Sequence, residues 1–168
     1  MYKTFKSRKL KTELFHISFN PNLEGYWKPK LPAGDYDESK YNDSFLFLYS
    51  EIPIKKISCS PTIDKCFQAI YANVKDMMDA HGALTFNVYQ PVFKGNERVV
   101  LPEEFTSNKL IHDAHITQEH GIIDEVYMKF LYKIIIQPPK GKEFYYAFDI
   151  KTKEPYGWLP RRIDWEKS

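Results

Sequence analysis

Residues 61–80 constrain the fold more than any other stretch of the chain. Apolar or aromatic side chains recur there at Ile63, Cys66, Phe67, Ile70, Tyr71, Val74, Met77 and Met78. That three-and-four spacing lays one apolar stripe along an α-helix. Ser60 is placed to act as its N-cap, Pro61 suits a first helical position where no N–H is needed, and Gly82 supplies the stop. A helix with one apolar stripe has to be buried against another layer. The flanking segments supply strands: residues 52–60 (IPIKKISCS) are extended in character, and residues 83–91 (ALTFNVYQP) alternate Leu84, Phe86 and Val88 against Thr85, Asn87 and Tyr89.

The rest of the chain reads mostly as strands. Residues 12–19 (TELFHISF) place Leu14, His16 and Ser18 on one face and Phe15, Ile17 and Phe19 on the other, which turns His16 away from the more apolar side. Residues 20–43 carry Pro21, Gly25, Pro29, Pro32 and Gly34, the punctuation of a long loop that holds Tyr26 and Trp27. A short strand is expected at residues 97–101 and a polar loop at 109–119. Residues 121–128 and 130–137 form two strands or one bent strand, 143–150 another, and 152–157 a turn before Trp158. One main helix (about 61–80) among strands, with no internal repeat, low-complexity tract or linker, predicts a single α+β domain over residues 1–168.

Composition agrees and removes several function classes. A chain of 168 residues can bury roughly 70% of its unfolded surface. Its 43% hydrophobic and 16% aromatic content, with twelve Tyr and twelve Phe, supports a sheet-rich core and argues against disorder. The 24 basic and 22 acidic residues leave a formal charge of +2, too small a field to indicate a nucleic-acid binder. Basic residues do cluster at Lys3, Lys6, Arg8, Lys9 and Lys11 and at Arg161 and Arg162, where solvated chain ends account for them. The two cysteines, Cys59 and Cys66, straddle the helix start, so reduced thiols are expected, and CxxC, CxxH and HExxH spacings for zinc are absent. The start MYKTFKSRKLK has no apolar run after its charges, and no stretch of about 18 apolar residues occurs anywhere. A soluble cytoplasmic protein with no membrane partner is the expectation.

Reactive residues meet element boundaries at three places: His16-Ile17-Ser18, Ser58-Cys59-Ser60-Pro61, and Thr117-Gln118-Glu119-His120-Gly121. Singly, each has an ordinary structural account: a packed strand histidine, a helix cap, a surface carboxylate. In this order they resemble the ADP-ribosyltransferase fold, particularly small phage and bacterial members with a histidine in the first motif. ELFHIS matches the first motif, KKISCSPTIDKCFQAIYANV the strand-Ser-helix unit, and ITQEHGIIDEVYM the late strand preceded by a carboxylate, over residues 13–136.

The resemblance implies an ADP-ribosyltransferase-like split β-sheet with NAD as substrate. The nicotinamide end would lie between the first strand and the helix, with His16 bonding a ribose hydroxyl, Ser18 positioning that end and Ser60 lining the nicotinamide pocket. Tyr71 or Tyr26 would stack on the positively charged pyridinium. Glu119 would accept from the ribose 2′-OH and stabilise the oxocarbenium-like centre as nicotinamide leaves, Glu125 being the competing carboxylate. No aromatic occupies the usual place in the second motif, and Thr117 stands where an arginine-directed enzyme has a second acid. The acceptor of ADP-ribose therefore stays open, with a host protein among the candidates and, for a phage-encoded protein, the host cytoplasm as its location.

Two other function classes compete. His16-Ile17-Ser18 and His115-Ile116-Thr117 are both H-x-[ST] and resemble the paired signature of 2H phosphoesterases, which use one His as base and the other as acid on a cyclic nucleotide or 2′-phosphate. A catalytically silent phage or bacterial module would instead bind a host factor through aromatic anchors, with Trp27, Trp158 and Trp165 the candidates.

Overall fold

The computed structural model describes residues 2–19, 23–31, 54–108, 110–111, 114–137, 144–149 and 155–160, with the side chains of 71–79 and of 136 onward outside the description. Short strands β1 (Phe5–Lys6), β2 (His16–Ser18), β3 (Gly25–Trp27) and β4 (Ile57–Cys59) precede helix α1 (Ile63–His81). Then come β5 (Leu84–Val92), β6 (Arg98–Val100), helices α2 (Pro102–Ser107) and α3 (Ala114–Thr117), β7 (His120–Ile122), β8 (Val126–Gln137), β9 (Phe144–Asp149) and β10 (Pro155–Pro160). The protein is a mixed α/β structure of two antiparallel sheets and few helices.

One sheet has the order β1-β6-β7-β4, the other β10-β9-β8-β5-β2 with β3 also paired to β8. Among the described residues, two isolated antiparallel bridges join them, one between Phe15, beside β2, and Ser60, beside β4, the other between Lys30, after β3, and Lys56, before β4. Among the described residues, three apolar clusters fill the layers. Helix α1 packs Ile63, Cys66 and Phe67 on Ile17, Phe86, Val88 and Ile134 of the larger sheet. Leu14, Tyr89, Val126 and Met128 pack with Ile57, Cys59, Val99 and Ile122 of the smaller sheet. Phe105, Leu110, Ile111 and Ala114 cover Val100.

The segment through β2 thus serves two cores, Leu14 just before the strand in one and Ile17 within it in the other, and His16, expected to point away from the more apolar side, is half-buried. Strand β8 achieves the same by a bulge. Val88 pairs with Tyr132 but Tyr89 with Phe130, so Leu131 is an extra residue. Val126, Met128 and Phe130 then face one core while Tyr132 and Ile134 face the other, although all five share the same sequence parity.

Several expectations are corrected. Helix α1 starts at Ile63, not at Pro61, and its cap is Thr62, whose Oγ1 accepts from Lys65 N at 3.3 Å. Ser60 is committed instead to the Phe15 bridge. Gly82 does close the helix, with φ +79°. Gly25–Trp27, read as loop, is a strand because β8 supplies its partners in register, Gly25 with Met128 and Trp27 with Val126. Residues 114–117, within the stretch 109–119 read as a polar loop, form α3, and α2 occupies residues 102–107, for which no element was expected. Pro102 at the first helical position with Glu103 and Glu104 in the first turn starts α2. Residues 155–160 form a strand on β9 where a turn was expected.

Two substitutions check this arrangement. Thr62→Ala should lower stability by about 0.5–1 kcal/mol in denaturant melts. A Cβ at Gly121 would sit 2.5 Å from Phe105 Cζ and 3.2 Å from Lys56 Cδ. Phe105 is fully buried, so Gly121→Ala should cost about 1–3 kcal/mol by overpacking, read as a lower melting temperature.

Candidate functional site

The three sequence motifs converge on the junction of the sheets. Strand β4 lies between β2, through the Phe15–Ser60 bridge, and β7, with Cys59 opposite His120 and Ser58 opposite Gly121. Phe15 and Ser60 exchange backbone hydrogen bonds of 2.8 and 2.9 Å. Beyond that bridge the strands no longer pair, and the imidazole of His16 takes over: its Nδ1 lies 2.6 Å from Ser58 O. A carbonyl only accepts, so Nδ1 carries the proton and, in a neutral ring, Nε2 is left as an acceptor. The ring is half-buried and meets the edge of Trp27 at 5.0 Å between centroids.

Burial lowers the proton affinity of His16 below that of an ordinary imidazole, outweighing the Ser58 carbonyl and the Glu119 charge, which act the other way, and Lys56 adds to the lowering. The ring is held neutral. Glu119, directly before β7, is buried and its Oε1 accepts from Lys56 Nζ at 2.7 Å, the two side chains being 10% and 9% exposed. Lys56 Nζ also donates to Ser58 Oγ at 2.6 Å. The turn that delivers Glu119 is made by Gln118, which adopts φ +55° after α3 and lends its carbonyl to His120 Nδ1 at 2.8 Å.

Ser60 is 2% exposed, with both backbone groups in the bridge. Burial pushes the Cys66 thiol beneath it up to about 12, against hydrogen bonding from Ser60 that lowers it, and burial raises Cys59 well above the usual thiol range. Neither is a ready thiolate nucleophile.

His16, Ser60 and Glu119 are therefore neighbours on adjoining strands, and Ser18 follows His16 on β2. The other candidates fall elsewhere or outside. Glu125 is exposed in the turn between β7 and β8. Tyr26 is 59% exposed and packs edge-on to Tyr127. Trp27, next to it on β3, is the aromatic that touches His16. Tyr71 lies on α1, where its side chain is outside the described residues, as are the side chain of Trp158 on β10 and all of Trp165.

Of the second H-x-[ST] motif, His115 is exposed on α3 and Thr117 is fully buried, so its imidazole and hydroxyl face different surroundings. Sequence reasoning missed Lys56, and it named Ser58 only within the strand-to-helix motif and Trp27 only as a loop aromatic and binding-module anchor. The signal for the first two was the i, i+2, i+4 row Lys56, Ser58, Ser60.

Among the described residues no group of three His, Cys, Asp or Glu could hold a metal ion, and no helix is long and apolar enough to cross a membrane. Comparison with known protein families, with curated proteins and with solved structures found no match.

The neutral histidines make stability depend on pH. His16 and His120 are both lowered from 6.5, first by burial. Unfolded, they take up protons near that pH, whereas the folded rings resist, so their contribution is complete above 6.5 and is lost as pH falls. The slope is at most about 1.4 kcal/mol per pH unit for each histidine. Melting temperature should fall between pH 7.5 and 5.5, and His120→Asn should make that fall shallower.

Proposed function

We propose that this chain is an ADP-ribosyltransferase-like enzyme that binds NAD against strands β2, β4 and β7. The observation that carries the reading is that the strands bearing the three motifs are consecutive neighbours, held by the Phe15–Ser60 bridge and the Cys59–His120 pairing. His16, with its proton fixed on Nδ1 by Ser58, offers Nε2 to a ribose hydroxyl. Ser60 lies where the nicotinamide end would enter, at the start of α1. Trp27, in contact with His16, takes the place beside the pyridinium for which Tyr71 or Tyr26 was expected.

In the proposed reaction the bond between ribose C1′ and the nicotinamide nitrogen breaks, and both electrons leave with the nitrogen, which becomes neutral. The ribose carries the positive charge as an oxocarbenium-like centre. Glu119 stabilises it by accepting from the 2′-OH, and a buried carboxylate does so more effectively than one in water. The acceptor forms the new bond to C1′ and gives up its proton. With water as acceptor the products are ADP-ribose and nicotinamide.

A second reading has its own observation. Tyr26, Tyr127 and Val92 lie opposite one another across β3, β8 and β5, with Tyr26 59% and Val92 48% exposed. Lys94 lies over the Tyr26 ring at 5.5 Å. An exposed apolar row of this kind suits a non-catalytic module that binds a protein partner.

Labelled NAD separates the two. The wild-type chain should release nicotinamide, Glu119→Gln should reduce the rate by about 10²-fold or more, and Glu125→Gln should leave it within about threefold. Absence of release from the wild type would leave the binding module standing.

A further inference from the structure

We propose that Lys56 is a positioning residue for the Glu119 carboxylate, an inference that rests on the NAD reading above. Three features fix this lysine. Its backbone is pinned by reciprocal hydrogen bonds with Lys30, at 3.0 and 3.3 Å. Its stem runs over Gly121, where a side chain would meet Lys56 Cδ at 3.2 Å, and its ammonium lies 5.9 Å from the centroid of the Phe105 ring. At the end of this slot Nζ donates to Ser58 Oγ at 2.6 Å and to Glu119 Oε1 at 2.7 Å.

An exposed ion pair adds little stability, and a buried one repays its desolvation only with good geometry. This pair is about nine-tenths buried and is held at both ends by the sheet, so what it supplies is direction. Lys56 engages Oε1, while Oε2 takes no hydrogen bond from the described residues. That leaves Oε2 for a substrate hydroxyl.

The ammonium is a second positive charge near a cationic transition state and on its own would slow the reaction. Held at the far oxygen, it is separated from the developing charge by the carboxylate itself, so the nearer negative charge dominates. A carboxylate released from this anchor would turn away from the 2′-OH, and an ångström of misplacement is enough to cost about 10²-fold in rate.

The test compares nicotinamide release from NAD by the wild-type chain, Lys56→Met, Lys56→Arg and Ser58→Ala, with NAD affinity measured separately by calorimetry. Lys56→Met should lower kcat by about 10²-fold with affinity for NAD nearly unchanged, and Lys56→Arg should recover part of the loss. Ser58→Ala keeps both charges and removes one anchor of the ammonium. It should lower kcat several-fold at unchanged KM, and it keeps the test decisive if Lys56→Met does not fold. Unchanged kcat in Ser58→Ala overturns the proposal, as does a Lys56→Met effect confined to NAD affinity. A wild-type chain that releases no nicotinamide overturns the NAD reading and this inference together, whereas an active wild type with fully active variants overturns this inference alone.

Discussion

Two backbone hydrogen bonds between Phe15 and Ser60, 2.8 and 2.9 Å long, fasten the edge of one sheet to the edge of the other. A strand edge left bare is an aggregation hazard, and a fully continued ladder would have merged the sheets into one. Alongside a second isolated bridge, Lys30 with Lys56, the Phe15–Ser60 bridge joins the edges without merging the sheets. It pairs one residue and lets the strands part, and the Ser58 carbonyl stranded by the parting is satisfied by His16. The imidazole is thus part of the joint and part of the candidate site. Its tautomer is set by the same carbonyl that the divergence of the strands exposes.

Around that joint the protein gathers groups whose charge states are controlled by burial. A neutral imidazole, an ion-paired carboxylate and two protonated thiols lie within electrostatic reach of one another, Glu119 influencing His16, Cys59 and Cys66 alike. Lys56 answers the carboxylate across 2.7 Å. Such an arrangement favours fixed hydrogen-bond donors and acceptors over a mobile nucleophile. Under the proposed NAD reading, that is what stabilising a developing charge requires.

Much of this was legible in the amino-acid order, for reasons that differ from element to element. The first part of the α1 stripe, Ile63, Cys66 and Phe67, is buried as its spacing indicates, whereas β5, read as half-buried, is buried on both faces over residues 86–89 because Val88 and Tyr89 enter different cores. Ser60 was misjudged because Ser-Pro meets the local rule for a helix cap, whereas the long-range bridge to Phe15 uses its backbone and leaves the cap to Thr62. Gly25–Trp27 has no strand character of its own and exists because β8 offers an unpaired edge, a tertiary effect that overrides local propensity. The start of α2 was readable in Pro102-Glu103-Glu104 and was passed over. Lys56 was one unremarked charge inside the expected strand 52–60, and only the vacancy above Gly121, which needs the fold, shows where its stem can go.

The extra residue at Leu131 has a consequence for how the chain tolerates change. Strand β8 carries one uninterrupted register of apolar side chains, yet presents it first to one interior and then to the other. Removing a single residue there would restore a regular ladder and, with it, send every side chain beyond that point to the wrong layer. Length at this position is therefore held more tightly than identity: the chain can exchange one apolar side chain for another along the strand far more easily than it can lose or gain a step.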